Sequence, residues 1–371
     1  MRRRHFETLR PVCPVCRAAG ADGFPLRIAT VAREADGHLV EGVLHCTNAN
    51  CQREFPVIDG VPLLVANIRQ YVADNALAIC GRRDLSELIE TVIGDCCGPG
   101  SAFDTTRQHL SSYAWDHYAD LDPAEPVAEP RPGSMLRSLE TGKQLAGPLA
   151  PGPVLDAGCS VGRGTFALAE QGDELVLGVD MNFAMLRLAG EVLRGGRVRY
   201  PRRRVGLVYE TREFPAEFAR RENVDFWACD ATALPFPDGT FSLATALNVL
   251  DCVSTPRELL ASFGRALKPG GKAVLACPYD WSVAATPLEG WLGGHSQRSP
   301  LAGSSAEMLR RLLRPGATPG SVNTLRLIAE RDDLPWRVRL HERSTMTYRL
   351  HLVAAERVNE EDGGVVEGLK G

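Results

Sequence analysis

Apolar residues in the second half of this chain follow two periods. Short continuous runs at Val154–Ala157, Glu174–Val179, Val224–Cys229, Phe241–Leu247 and Lys272–Cys277 read as buried strands. Between them lie stretches of helical spacing: Ser134–Ala146 ahead of the first strand, Phe183–Leu193 after the second, and a segment opening at Thr255-Pro256-Arg257-Glu258. In that opening threonine suits the cap, proline the first turn, and glutamate reaches back to the cap. The segment stops at Lys268-Pro269-Gly270-Gly271, and Ser304-Ser305-Ala306-Glu307 starts another helix. Trp336–Leu340 and Tyr348–Ala354 close the chain as an antiparallel pair. Strands alternating with helices predict an α/β fold with an open parallel sheet.

The first third has a different pattern. Leu26–Val31 and His38–Leu44 read as two strands joined near Asp36-Gly37. They are flanked by Cys13-Pro14-Val15-Cys16 and by Cys46-Thr47-Asn48-Ala49-Asn50-Cys51. Two cysteine pairs at two hairpin ends suit one tetrahedral Zn²⁺ held by Cys13, Cys16, Cys46 and Cys51. A unit this small builds little core, so the metal contributes directly to its folding. Residues 67–121 read as helical, with apolar spacing in Asp84–Ile93 and in Arg107–Tyr118. Asp122–Gly133 is rich in Pro, Glu and Ala and reads as a linker. The division predicted is 1–66 zinc ribbon, 67–133 helical cap and linker, 134–358 α/β domain, and 359–371 flexible tail.

Composition narrows the partners. The chain has 371 residues, 44% hydrophobic, with a net charge of −4, which gives no global attraction to nucleic acid. No run of about 18 apolar residues appears, so no membrane span is expected. The basic start Met1-Arg2-Arg3-Arg4 lacks the apolar core of a secretory signal. Eleven cysteines without an export signal point to a reducing cytoplasm, with four of them as metal ligands. Cys80, Cys96 and Cys97 have no knuckle spacing and read as packed or free thiols. An insertion from Arg194 to Arg221 carries Arg197, Arg199, Arg202, Arg203, Arg204 and Tyr200, with Glu210, Glu213 and Glu217 close behind. It reads as an exposed hairpin with partly compensated charge; substrate recognition and RNA phosphate contact are the alternatives.

The most specific run is Val154 to Thr165: strand, tight glycine turn, helix start, with Asp180 at the end of the next strand. Such a turn aims backbone N–H groups at a ligand, and a strand-end acid accepts from a ribose diol. Asp156, two residues before the first glycine, disfavours a pyrophosphate. The pattern Asp-x-Gly-x-x-x-Gly-x-Gly resembles motif I of the class I S-adenosylmethionine (SAM) methyltransferases, with Ser160 where many members carry a middle glycine. The strand order, Asp230-Ala231 before Leu234-Pro235-Phe236, and Leu267-Lys268-Pro269-Gly270-Gly271 extend the likeness. The resemblance implies a Rossmann-like seven-stranded sheet. It also implies SAM contacts from Asp156, Gly158, Cys159, Ser160, Gly162, Gly164, Asp180, Met181, Asp230, Ala231 and Asn248. For Asp230, a turn cap is the alternative.

Two further resemblances refine the expectation. The knuckles together with Phe55–Val65 resemble the small zinc-binding activator of tRNA and protein methyltransferases, here fused in cis; a protein partner through the ribbon is one implication. Asn248-Val249-Leu250-Asp251, Pro278-Tyr279-Asp280-Trp281 and Trp291-Leu292-Gly293-Gly294 resemble the methyltransferase domain of ovothiol-synthesis enzymes, which methylates an imidazole nitrogen. Methyl transfer needs alignment and exclusion of water. Asp251, Tyr279 and His295 are the catalytic candidates, and Trp281 and Trp291 the substrate-pocket walls; structural packing or turn capping is the alternative for each. The expectation is a SAM-dependent methyltransferase acting on a small molecule, with nitrogen as acceptor. An RNA base methyltransferase, or an adaptor with a non-catalytic methyltransferase fold, are the alternatives.

Overall fold

The computed structural model describes residues 1–20, 23–126 and 131–358. The predicted tail at 359–371 lies outside the described residues.

Two short helices, Arg3–Leu9 and Pro14–Ala18, precede four strands: β1 (Leu26–Ala35), β2 (His38–Cys46), β3 (Glu54–Ile58) and β4 (Val61–Leu64), each antiparallel to the next. Asp36 and Gly37 have φ of 50° and 74°, as a two-residue primed turn between twisted strands requires. Helices Ile68–Asp74, Ala76–Cys80, Glu87–Cys97, Ala102–Tyr118 and Ser134–Ala146 follow. The α/β part then runs β5 (Val154–Ala157), β6 (Val176–Asp180), a protruding hairpin of β7 (Arg197–Val205) and β8 (Val208–Pro215), then β9 (Val224–Cys229), β10 (Phe241–Leu247) and β11 (Leu267–Cys277). A long antiparallel pair, β12 (Leu325–His341) and β13 (Ser344–Arg357), ends the described chain.

The sheet order is β1-β2-β3-β4-β9-β6-β5-β10-β11-β13-β12. The seven strands from β9 to β12 are those the sequence predicts. The sheet is nevertheless eleven-stranded, which corrects the expectation of a seven-stranded sheet beside a separate ribbon. The ribbon is joined by β4, which pairs in parallel with β9 at Leu63↔Ala228 and Leu64↔Cys229. Burial explains the junction. All four β4 residues are buried: Val61 and Leu63 belong to the core that holds Tyr71 and Leu186, and Leu64 to the core that holds Trp227 and Phe236. A strand buried on both faces belongs inside a sheet.

Two other boundaries shift. β11 begins at Leu267, because Phe241 pairs with Leu267 before a register shift brings Leu243 opposite Lys272. The Lys268–Gly271 turn is therefore a bulge within the strand. The linker's start is pinned: Asp122 accepts from both Arg212 Nε and Nη2, and Glu125 from Trp115 Nε1 at 2.9 Å. Among the described residues no helix is long and apolar enough to cross a membrane.

Candidate functional site

The glycine turn leaves β5 with its backbone wound into the left-handed region. Gly158, Ser160 and Gly162 have φ of 69°, 52° and 94°. A Cβ on Gly162 would stand 2.7 Å from Phe226 Cζ and 2.8 Å from Ala189 Cβ, so packing forbids a side chain there. Ser160 departs from the family's middle glycine, and local bonds hold it: its N–H donates to Asp180 Oδ2 at 2.9 Å and its hydroxyl to Met185 Sδ at 3.2 Å. Tyr118 donates to Val161 O at 2.6 Å, so the helix Ala102–Tyr118 fastens the turn from above. Cys159 and Gly164 are buried beneath it.

The two acids of the motif have different surroundings. Asp180 accepts from Ser160 N and, through Oδ1, from Asn182 N at 2.8 Å, and burial raises its pKa. Each oxygen keeps a lone pair for a further donor. Asp156 instead accepts from Thr165 and Thr245 hydroxyls, both at 2.8 Å. It ties β5 to the helix Arg163–Ala169 and to β10. Burial pushes its pKa to about 6. Asp156 is therefore an internal tie between these three elements.

Beyond β9, Asp230 Oδ1 accepts from Thr232 N at 2.9 Å and Thr232 Oγ1 at 2.7 Å, which is the turn cap weighed from sequence, and Ala231 is buried beside it. Asp230 and the exposed Met181 also line a cavity of about 390 Å³ with Asn67, Gln70, Tyr71 and Asp74. Asn248, at the end of β10, has φ of 57°, and its buried Oδ1 has no partner among the described residues. A cavity at the carboxyl ends of the strands, bordered by acceptors with spare capacity, fits the adenosine end of SAM. Of the cofactor residues expected from sequence, Asp230 and Met181 line this cavity, and Asp180 immediately precedes Met181 in the chain.

The acceptor side gathers some candidates and separates others. Asp251 is buried and accepts from Asp280 N at 2.7 Å, clipping the loop after β10 to the loop after β11; burial raises its pKa. Its field reaches Tyr113, Cys252 and Tyr348. Tyr279 stands at φ 59°, and its hydroxyl lies 2.7 Å from His351 Nδ1, with His351 Nε2 3.1 Å from Glu330. Tyr279, Trp281 and Trp291 form a stacked row, centroids 6.4 and 6.2 Å apart. Both indole N–H groups are used internally, Trp281 on Ser305 Oγ and Trp291 on Thr286 O, so the row's edges pack before they serve a substrate. His295 is exposed, and its side chain makes no hydrogen bond among the described residues. Tyr71 and His351 carried no motif. Only helical register and tertiary packing bring them here.

The four predicted metal cysteines converge: their sulfurs lie within 4.8 Å of one another. Cys13 and Cys51 are 3.9 Å apart, Cys16 and Cys46 3.7 Å. A tetrahedron with Zn–S bonds of about 2.3 Å has edges of about 3.8 Å, so the set fits Zn²⁺. Asn48 supplies N–H donors to Cys46 and Cys16 sulfurs at 3.4 and 3.5 Å, as thiolates prefer. The knuckle rests on the loop after β9: Val12 N donates to Pro235 O at 2.9 Å, and Arg17 to Phe236 O and Asp238.

Residues 155–275, the span from β5 to β11, match the family described as a methyltransferase domain. A phosphoethanolamine N-methyltransferase of Triticum aestivum is 30% identical over 129 residues, 34% of this chain and 21% of that protein. A demethylmenaquinone methyltransferase of Renibacterium salmoninarum is 49% identical over 57 residues, 15% of this chain and 24% of that one. The chain thus spans a fifth to a quarter of the length of these relatives. Among solved structures, a SAM-dependent methyltransferase of Methanosarcina mazei aligns at 20% identity over 56% of this chain and 92% of its own, with a TM-score of 0.36.

Proposed function

We propose that this protein transfers the methyl group of SAM to a small-molecule acceptor, with a nitrogen of imidazole or amine type receiving it. The observation that carries the reading is one coincidence: within the span that matches a methyltransferase domain, Asp180, Asp230 and Asn248 stand at the carboxyl ends of β6, β9 and β10, and Asp230 lines a cavity with Met181. The N-methyltransferase named among the relatives, and the likeness to an imidazole-methylating domain, support nitrogen.

In this reading Asp180 takes the ribose, Asp230 and the Ala231 backbone the adenine, and the turn from Gly158 to Gly164 lies against the cofactor. Asp156 positions that turn. The cofactor, when bound, supplies an electrophilic methyl on a sulfonium. The chain orients the acceptor in line and keeps water away. Asp251, immobilised by the Asp280 N–H and with its pKa raised by burial, is suited to hold the acceptor N–H or take its proton. Tyr279 sits beside Asp280 on the loop after β11, with His351 as the group that orients its hydroxyl. The stacked tryptophans close the far side. The cysteine cluster holds one structural Zn²⁺, which a reducing cytoplasm preserves.

Calorimetry with S-adenosylhomocysteine tests the reading. The wild-type protein should bind with measurable heat and gain thermal stability. Asp180→Ala should weaken binding by about 1–3 kcal/mol, through lost acceptors for the ligand's hydroxyls. Absence of binding by the wild type would overturn the function. Unchanged affinity in Asp180→Ala would remove that residue from the site.

A further inference from the structure

The cavity beside Asp230 has a wall that belongs to none of the methyltransferase strands. It is built by the segment that leaves β4, where Asn67, the cap of the helix Ile68–Asp74, and Gln70, Tyr71 and Asp74 lie along one face. Tyr71 stands out within it. It is 3% exposed, and its hydroxyl is buried with no hydrogen-bond partner among the described residues. Buried phenol hydroxyls ordinarily find a partner, because leaving one unpaired opposes folding.

The ring itself is firmly placed. It packs in the cluster with Val61 and Leu186. Asn67 caps its helix by accepting from Gln70 N at 3.3 Å. Asn75 accepts from Phe183 N at 3.1 Å, which fixes the end of this segment to the helix after β6. The phenol lies within the field of the Asp180 carboxylate. A rigidly held residue with an unpaired hydroxyl therefore lines the same cavity as Asp230 and as Met181, the residue that follows Asp180.

We infer that Tyr71 is a cofactor-contacting residue, whose hydroxyl hydrogen-bonds the adenosine portion of the ligand that Asp180 and Asp230 hold. The inference rests on the proposed SAM site. It adds that the segment following the ribbon, outside the matched domain, completes the nucleoside pocket in cis.

Tyr71→Phe tests it, since the ring and its packing remain. Two quantities should move in opposite directions. The ligand-free melting temperature should hold or rise, because the variant no longer buries an unpaired hydroxyl. Affinity for S-adenosylhomocysteine, measured by calorimetry, should fall by about three- to tenfold, the worth of one hydrogen bond. A lower ligand-free melting temperature with unchanged affinity would assign Tyr71 to structure alone and overturn the inference. Unchanged affinity at unchanged stability would overturn it equally, while leaving the SAM site intact. Failure of the wild type to bind S-adenosylhomocysteine would overturn both this inference and the function on which it rests.

Discussion

At the scale of single residues, the turn after β5 shows what a motif reveals and what it conceals. The positions that need positive φ were readable, because Gly158 and Gly162 fall where the family places glycine. Ser160 occupies the same backbone region at 52°, and two bonds to Asp180 and Met185 accompany that conformation. Those partners lie 20 and 25 residues away, so no local pattern announces them. Asp156 is the clearest case. As a motif position it looked like a ligand for the cofactor, yet both oxygens face hydroxyls inside the fold. A stability signature follows. Its native pKa of about 6 lies above the unfolded value of about 3.9, so the native state holds the proton longer as pH rises. Stability from this group is complete below pH ~4, falls between pH ~4 and ~6, and is constant beyond. Asp156→Asn, whose amide can still pair with two rotatable hydroxyls, should remove that fall, by at most about 3 kcal/mol. Urea unfolding of both proteins from pH 4 to 7 measures it; parallel profiles would show that the carboxyl ionises with its ordinary pKa.

At the scale of elements, strand positions were the most legible feature, and strand partners the least. β9 and β10 begin and end where continuous apolar runs predict, because burial on both faces imposes such runs. β4 carries the same signal in Val61-Pro62-Leu63-Leu64, and that run was the available clue that the ribbon enters the main sheet. Helix Ser134–Ala146 was predicted, but its cap comes from elsewhere: Asp116 accepts from Ser134 N at 2.7 Å and Met135 N at 3.0 Å. The four cysteines were legible because ligand spacing is a local rule, whereas their coupling to the rest is not. Since β4 is hydrogen-bonded to β9, and the knuckle to the loop after β9, the ribbon should not unfold alone. Elemental analysis should find about one zinc per chain, and Cys46→Ser should lose it. The variant should then melt earlier in a single transition that includes the methyltransferase sheet. Two separate transitions, with the sheet melting as in wild type, would show an independent ribbon. Full zinc retention would overturn the ligand assignment.

At the scale of the whole molecule, charge decides between a small acceptor and a nucleic acid. The arginine-rich insertion forms the β7–β8 hairpin, and most of its arginines have a carboxylate partner. Arg202 lies 3.0 Å from Glu125, Arg204 3.1 Å from Glu342, Arg197 3.0 Å from Glu213, and Arg212 2.7 Å from Asp122. Arg203 donates to Gly206 O. The glutamates that follow the arginines in the sequence already suggest compensation; which carboxylate answers which arginine depends on the packing of β12 and of the segment after helix Ala102–Tyr118. Phosphate contacts would have to break these pairs, on a chain whose net charge is −4. RNA affinity should accordingly be weak at physiological ionic strength. Arg202 is too involved with Glu125 to reverse cleanly, so the test falls on the exposed end of the hairpin. Arg203→Glu with Arg204→Glu should leave S-adenosylhomocysteine binding unchanged and alter RNA binding little, because little is there to lose. An RNA enzyme would bind labelled tRNA or rRNA fragments tightly, lose affinity steeply as salt rises, with a slope set by the number of phosphates neutralised, and lose more of it in the double reversal. Fluorescence anisotropy across a salt series separates the two cases, and a steep slope that the reversal flattens would replace the small-molecule acceptor with RNA.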